Sequence, residues 1–408
     1  MPSTPLDGEP VPADGSLPDA ALAELGERPF GLYVHVPFCT VRCGYCDFNT
    51  YTAEELGPAG GAPGASRATY AQAAVAEVRR ARAVLGERDL PVSTIFFGGG
   101  TPTLLSPDDL GSVVAAAAEE FGLAPDVEIT TESNPDSVDA ESLQRLRDVG
   151  INRVSFGMQS QVRHVLEVLD RTHDPRRVPA VVGWAREAGF EQVSLDLIYG
   201  TPGESQDDWA TSVDAAVACA PDHVSAYSLI VEDGTALARR VRRGELPMPD
   251  EDDLADKYAL ADERLVAAGL GWYEVSNWSS GAETRCRHNL LYWTGGDWWG
   301  VGPGAHSHVG GVRWWNVKHP AAYADRIGAD RSPAQAREVL GAEDRRVERV
   351  LLELRLREGL DAGVLDAHGR AAVPGLVARG LLVERDGRVA LTERARLLAD
   401  GVVRELLS

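Results

Sequence analysis

The chain of 408 residues carries 40 Lys and Arg against 62 Asp and Glu, a formal charge of −22, which excludes the positive excess needed to grip a polyphosphate backbone. With 44% apolar and 25% charged residues it is a globular rather than a disordered sequence, long enough for more than one domain. No apolar run approaches the roughly 18–20 residues of a membrane span, and no basic-then-apolar secretion signal opens the chain, so it reads as soluble and cytoplasmic.

In chain order, residues 1–28 mix Pro, Gly, Ala and acidic side chains without periodicity, which predicts a disordered leader that buries little. Beyond Pro29, short runs rich in β-branched and aromatic residues alternate with longer amphipathic ones. The strand-like runs are 31–36 (GLYVHV), 93–99 (STIFFGG), 127–133 (VEITTES), 153–159 (RVSFGMQ), 192–200 (QVSLDLIYG) and 223–230 (HVSAYSLI). Helical patterns such as DAESLQRLRDVG, closed by a glycine suited to a helix C-cap, separate them. Six β-α units in succession predict an α/β fold, a parallel sheet curved into a partial (β/α)6 TIM-like barrel over 29–260 with functional groups on the loops after the strands.

Residues 56–66 (LGPAGGAPGAS) read as a mobile surface insertion. Residues 261–335, dense in Gly and aromatics between Gly295 and Ser307, are expected to cover the barrel mouth and any cofactor there. After about residue 335 an amphipathic helix, a strand, an Asp-Gly turn, a strand and a helix predict a winged-helix-like domain over 336–408. From 341 to 408, 12 Arg and no Lys balance 12 Asp and Glu, so this unit is expected to pack rather than to bind nucleic acid.

Chemistry concentrates in the cysteines. Three of five, Cys39, Cys43 and Cys46, fall within eight residues as C-x3-C-x2-C directly after the first strand, too local for a disulfide framework. A structural zinc site needs four ligands, which would require His35 to turn inward. Three thiolates on a cubane iron-sulfur cluster leave one iron open to a substrate group. Cys219, in a helix-like AAVACAP stretch, reads as core.

The cysteine spacing resembles the signature of the radical S-adenosylmethionine (SAM) enzymes. The resemblance implies a 4Fe-4S cluster on Cys39, Cys43 and Cys46 whose open iron chelates the amino and carboxylate groups of SAM, and an electron donor for that cluster. It places Gly99, Gly100 and Thr101 of GGGTP at the methionine moiety. Glu132 in ESNP, Gln159 in GMQ, Arg171 in LDRTH and Asp196 in LDLIYG each stand at or beyond a strand end. Singly, each reads as well as a surface ion pair or loop hydrogen bond; as a set they match residues that contact SAM in the family.

YVHVPFC, FFGGGTPT, SFGMQS and LDLIYGTPGES resemble the branch that holds oxygen-independent coproporphyrinogen III oxidases and HemW-type heme chaperones, over about residues 29–400. Tyr33 and His35 match positions near the cluster in that group. The oxidase pattern has a further cysteine two residues after the third, where this chain has Phe48, and an ordered segment before the barrel, where this chain has only the leader. Both departures favour the chaperone, with apo-hemoproteins as partners, and leave radical decarboxylation of a porphyrinogen as the alternative. His288-Asn289-Leu290-Leu291-Tyr292-Trp293 resembles a heme-binding motif of the chaperone group. The resemblance implies His288 as a heme contact, with Cys286 as an alternative ligand and Arg285 or Arg287 beside the propionates. Read from the residue alone, a histidine among aromatics is as well a hydrogen-bonded core residue. His306 is expected to hold its loop, and Trp314 and Trp315 to lie in the core.

Overall fold

The computed structural model describes residues 8–57 and 64–407. The six strand-like runs form β1 (Phe30–Val36), β2 (Val92–Gly99), β3 (Leu123–Ser133), β4 (Arg153–Gln159), β5 (Gln192–Tyr199) and β6 (His223–Ser228), each parallel to the next. Period-two alternation sorts their side chains. Val34, Val36, Ile95, Phe97, Val154, Phe156, Val193 and Leu195 are buried in the core beneath the connecting helices. The alternate positions, among them Tyr33, Thr94, Glu132, Ser155, Asp196 and Ser225, carry the polar side chains of the inner face. Ser106, Asp139 and Ser205 cap the helices Pro107–Phe121, Ala140–Asp148 and Gln206–Ala218 by accepting an amide hydrogen bond, each worth about 1 kcal/mol.

The sheet continues at both sides through β7 (Gly271–Glu274), β8 (Asn277–Ser279), β9 (Asp297–Val301), β10 (His306–Val309), β11 (Val312–Asn316) and β12 (Ala334–Val339). Its order is β12-β11-β10-β9-β1-β2-β3-β4-β5-β6-β8-β7, with β9 parallel to β1. The two ends of this order do not pair, so the barrel is partial, as expected.

Three expectations are corrected. The leader is packed from Gly8 onward: Glu9 bridges to Arg337, Ala21 is buried, and Glu24 pairs with Arg345 and Arg28. The reason is that Val11, Leu17, Leu22 and Leu25, scattered among the prolines and glycines, lie against the core. The boundary expected at 260/261 falls inside the helix Glu251–Ala267, and residues 261–335 extend the sheet at both edges rather than forming a separate cover. The C-terminal unit begins near Gly341, because 334–339 is the edge strand β12.

That unit has its own core. Helices Ala342–Glu353, Ala367–Ala378 and Ala399–Leu407 enclose Val350, Leu354, Leu376 and Leu406 with the small sheet of β13 (Leu360–Asp361), β14 (Leu382–Arg385) and β15 (Arg388–Leu391), a winged-helix-like order. Arg396 fastens it to the barrel by lying over the Trp272 ring at 4.0 Å and pairing with Asp262 at 3.0 Å. Among the described residues no helix is long and apolar enough to cross a membrane. The middle of the expected insertion, 58–63, lies outside the described residues.

Candidate functional site

The cysteine loop leaves the C-terminal end of β1 and returns on itself. Tyr51 N–H donates to Pro37 O at 2.7 Å and Cys39 N–H to Tyr51 O at 3.0 Å, closing the base of the loop. Its tip is fastened from two later units, Leu237 N–H donating to Gly44 O and Gly44 N–H to Leu169 O. All three cysteines are partly exposed and none is in a disulfide. Burial pushes the Cys39 thiol up and the Cys46 thiol to about 11, while hydroxyls of Thr50 and Thr101 draw Cys39 back down. Metal loading would therefore release protons from these thiols. Among the described residues no three metal-binding side chains gather as the ligands of one ion would.

Beside this loop stands the glycine run. A Cβ on Gly100 would lie 2.4 Å from Phe38 O and 3.0 Å from Cys39 Sγ. Gly99 has φ +109°, and a Cβ there would strike the His35 ring at 2.7 Å. These glycines let the β2 end press against the cysteine loop; Gly100 N–H donates to Val36 O and Thr101 N–H to Phe38 O, both at 2.8 Å. Tyr33 hydroxyl contacts His35 Nδ1 at 3.0 Å, and His35 Nε2 contacts Asn49 O at 2.9 Å, so His35 props the loop rather than turning toward the thiols.

Two half-buried acids face the same interior. Glu132 accepts the Gly99 amide at 3.1 Å; burial, and then the nearby charge of Asp196, push its pKa up to about 8. Asp196 is raised by burial, partly offset by the hydroxyls of Ser225 and Ser155, the latter 2.9 Å from both carboxylate oxygens. Two half-buried carboxylates without a directly paired cation favour a cationic, hydrogen-bonding ligand between them. Gln159 sits at a bulge in β4 with φ +60°, which re-aims its side chain toward Gly157. Arg171 reaches across this mouth to Asn134 Oδ1 at 2.7 Å, Gly157 O at 2.8 Å and Cys43 Sγ at 3.6 Å.

The structure thus brings Cys39, Cys43, Cys46, Gly99, Gly100, Thr101, Glu132, Gln159, Arg171 and Asp196 to one end of the barrel, while Tyr33 stands midway along β1, its hydroxyl at His35 and its ring 6.3 Å from that of His288. The three-thiol set, the glycine cradle and the unpaired acids fit a cluster carrying a cationic ligand. His288 is elsewhere. It lies on the helix Arg287–Trp293, whose Leu291 would touch a Cβ on Gly31 near the start of β1, so the helix plugs the opposite end, the floor. His288 is 1% exposed; its Nδ1 meets Thr94 Oγ1 at 2.8 Å, its Nε2 meets Tyr292 Oη at 2.7 Å, and its ring stacks on Phe96 at 5.2 Å. Burial lowers its pKa to about 3. In this conformation neither nitrogen is free to bind iron. Arg285 pairs with Glu358 and Arg287 with Asp126, and Cys286 faces Glu128 at 3.8 Å.

Sequence reasoning missed two features. Glu77 is a buried carboxylate that accepts from Tyr323 Oη at 2.6 Å, Gly302 N at 2.7 Å and Asn316 Nδ2 at 2.8 Å, and so holds the Gly302–Gly304 turn behind His35 and Asn49. Its position on the Ala73, Ala74, Val78, Ala81 face was a legible sign, an acid on an apolar stripe. Arg153, buried at the start of β4, was hidden because its neighbours on the inner face come from distant strands. Trp314 and Trp315 are buried, and His306 stacks on Trp315 at 5.9 Å.

The model of the radical SAM superfamily matches residues 33–216. The chain is 53% identical over 388 residues to the heme chaperone HemW of Mycobacterium tuberculosis, covering 95% of this chain and 97% of that protein. To the heme chaperone HemW of Bacillus subtilis it is 33% identical, covering 91% of this chain and 97% of that one. Among solved structures, coproporphyrinogen III oxidase (HemN) from Escherichia coli superposes with a TM-score of 0.80 at 23% identity, over 97% of this chain and 94% of that one, a likeness of fold. Conserved from end to end with proteins of that description, and carrying its three cysteines on the loop after the first barrel strand, the chain belongs to the HemW heme chaperone family within the radical SAM superfamily.

Proposed function

We propose that this protein is a heme chaperone: it holds a 4Fe-4S cluster through Cys39, Cys43 and Cys46, binds SAM at the barrel mouth, and carries heme to apo-hemoproteins in the cytoplasm. The observation that carries the reading is the 53% identity over 97% of a relative named for that role. Cys39, Cys43 and Cys46 would hold the cluster, which would supply one-electron chemistry at its open iron, drawing on a protein electron donor. The chain's own residues do the rest. Gly99, Gly100 and Thr101 let backbone approach the ligand; Glu132 and Asp196 receive its positive and hydroxyl groups; Gln159, Arg171 and Tyr33 close its sides.

Heme contact through His288 requires the helix Arg287–Trp293 to release Thr94 and Tyr292 first. An anaerobic hemin titration of the cluster-reconstituted protein, followed by the Soret band beside His288→Ala, tests this. Saturation at one heme per chain, weakened or shifted in the variant, is the expected result. Saturation indifferent to the variant moves the ligand away from the floor. No saturable binding, with turnover of coproporphyrinogen, overturns the chaperone in favour of the oxidase.

A further inference from the structure

Arg171 follows β4 and the short helix Arg163–Val168, and its guanidinium is buried between the cysteine loop and the strand ends. Two anchors fix it: Asn134 Oδ1 at 2.7 Å, just beyond β3, and Gly157 O at 2.8 Å, within β4. Gly157 makes the room, because a Cβ there would lie 3.2 Å from the guanidinium and 2.9 Å from the Gln159 amide. So held, the remaining terminal nitrogen points at Cys43 Sγ, 3.6 Å away. The Nε–H has no hydrogen-bond partner among the described residues.

We infer that Arg171 is a hydrogen-bond donor to the Cys43 sulfur that sets the reduction potential of the cluster, an inference that rests on the cluster reading above. Reduction adds an electron that is spread partly over the ligand sulfurs. A fixed cation with an N–H directed at one of them stabilises the reduced state more than the oxidised one and raises the potential. The guanidinium keeps its charge at any working pH, so the effect is constant with pH. Arg171 is thus a positioning residue that acts on the electron affinity of the cluster through Cys43.

The test is a potentiometric titration monitored by electron paramagnetic resonance, on the full chain reconstituted anaerobically with iron and sulfide and without SAM. In Arg171→Met the reduction equilibrium falls at least tenfold, about 59 mV more negative for a one-electron couple. Arg171→Lys falls less, since it retains the charge but loses the fixed fork. An Arg171→Met protein with full iron content and an unchanged potential overturns the inference. If Arg171→Met does not retain the cluster, Asn134→Ala decides: it leaves the guanidinium but removes one anchor, a smaller fall in the same direction supports the inference, and no change sinks it. A wild-type chain that takes up no iron removes the cluster reading, and this inference with it.

Discussion

The two ends of the barrel are built on opposite principles. At the mouth, polar groups are gathered that only partly satisfy one another: three thiols, two half-buried carboxylates, a guanidinium whose Nε–H has no partner among the described residues, and glycines that keep backbone in reach. At the floor, polar groups are more deeply buried and, Arg153 Nε apart, interlocked. His288 is held by Thr94 and Tyr292, His223 by Ser194 and Tyr273, and Glu128 accepts the amides of both Arg287 and His288. Buried polar groups cost free energy unless paired, so an end whose groups are only partly paired is one whose remaining partners arrive as ligands, and an end whose groups are largely paired is one that holds shape. A motif's chemistry is therefore set by the end of the barrel it occupies, not by its residues alone.

The comparison breaks most visibly if a mouth residue proves dispensable to metal. Cys43→Ala is expected to lose the iron and sulfide of the reconstituted protein while circular dichroism stays close to wild type, because the loop base closed by Tyr51 and Pro37 does not involve that thiol. Unchanged iron content would mean the three cysteines do not hold the cluster. At the floor the opposite outcome holds. His288→Ala removes an imidazole bonded at both nitrogens and stacked on Phe96, leaving buried hydroxyls unpaired, and is expected to cost about 2–4 kcal/mol in denaturant unfolding of the cluster-free chain. A loss below about 0.5 kcal/mol, within the range of ordinary surface substitutions, would show that His288 is loosely held and ready for a ligand.

These contrasts also explain what the sequence could and could not disclose. The six strands were legible because an inner face and a helix-covered outer face impose period two over each run, and β4 occupies the expected residues 153–159. The cysteine loop was legible because its ligands are local. Tyr292 as a partner of His288 was within reach, one helical turn away on the same face, whereas Thr94 lies 194 residues earlier and no local pattern links them. The same limit hid the leader's packing: Glu9 and Arg337 pair across 328 residues, and the composition around Glu9 is that of a loop. Long-range pairing decides which polar residues are engaged within the chain in this conformation, and that is what separates His288 from Glu132.

Glu132 sharpens the contrast through pH. Its folded pKa of about 8 stands above an ordinary value of 4.5, so the folded ligand-free chain binds the extra proton between those limits. The stability this gives is fully present below pH 4.5 and is lost as pH rises through 8. Glu132→Gln, which keeps an acceptor for the Gly99 amide, is expected to be more stable than wild type at pH 8 by on the order of 2 kcal/mol and equal to it near pH 4. Thermal unfolding at the two pH values measures this, and bound SAM is expected to erase the difference by supplying the positive charge. Equal melting at pH 8 without ligand would mean that the mouth is already compensated.

The smallest effect tests the floor bond by bond. Thr94→Val keeps the shape of the side chain and deletes the hydroxyl at His288 Nδ1, a loss of about 1 kcal/mol for one buried hydrogen bond. Because Tyr292 still holds Nε2, the ring is expected to stay in place. If opening of the helix Arg287–Trp293 precedes heme contact, the bond to Thr94 is among those broken on the way, and weakening it should tighten apparent heme binding by about the same 1 kcal/mol, roughly fivefold. A Thr94→Val protein that is less stable yet binds hemin no more tightly would place the heme contact outside the floor, and would make the interlocked end of the barrel purely structural.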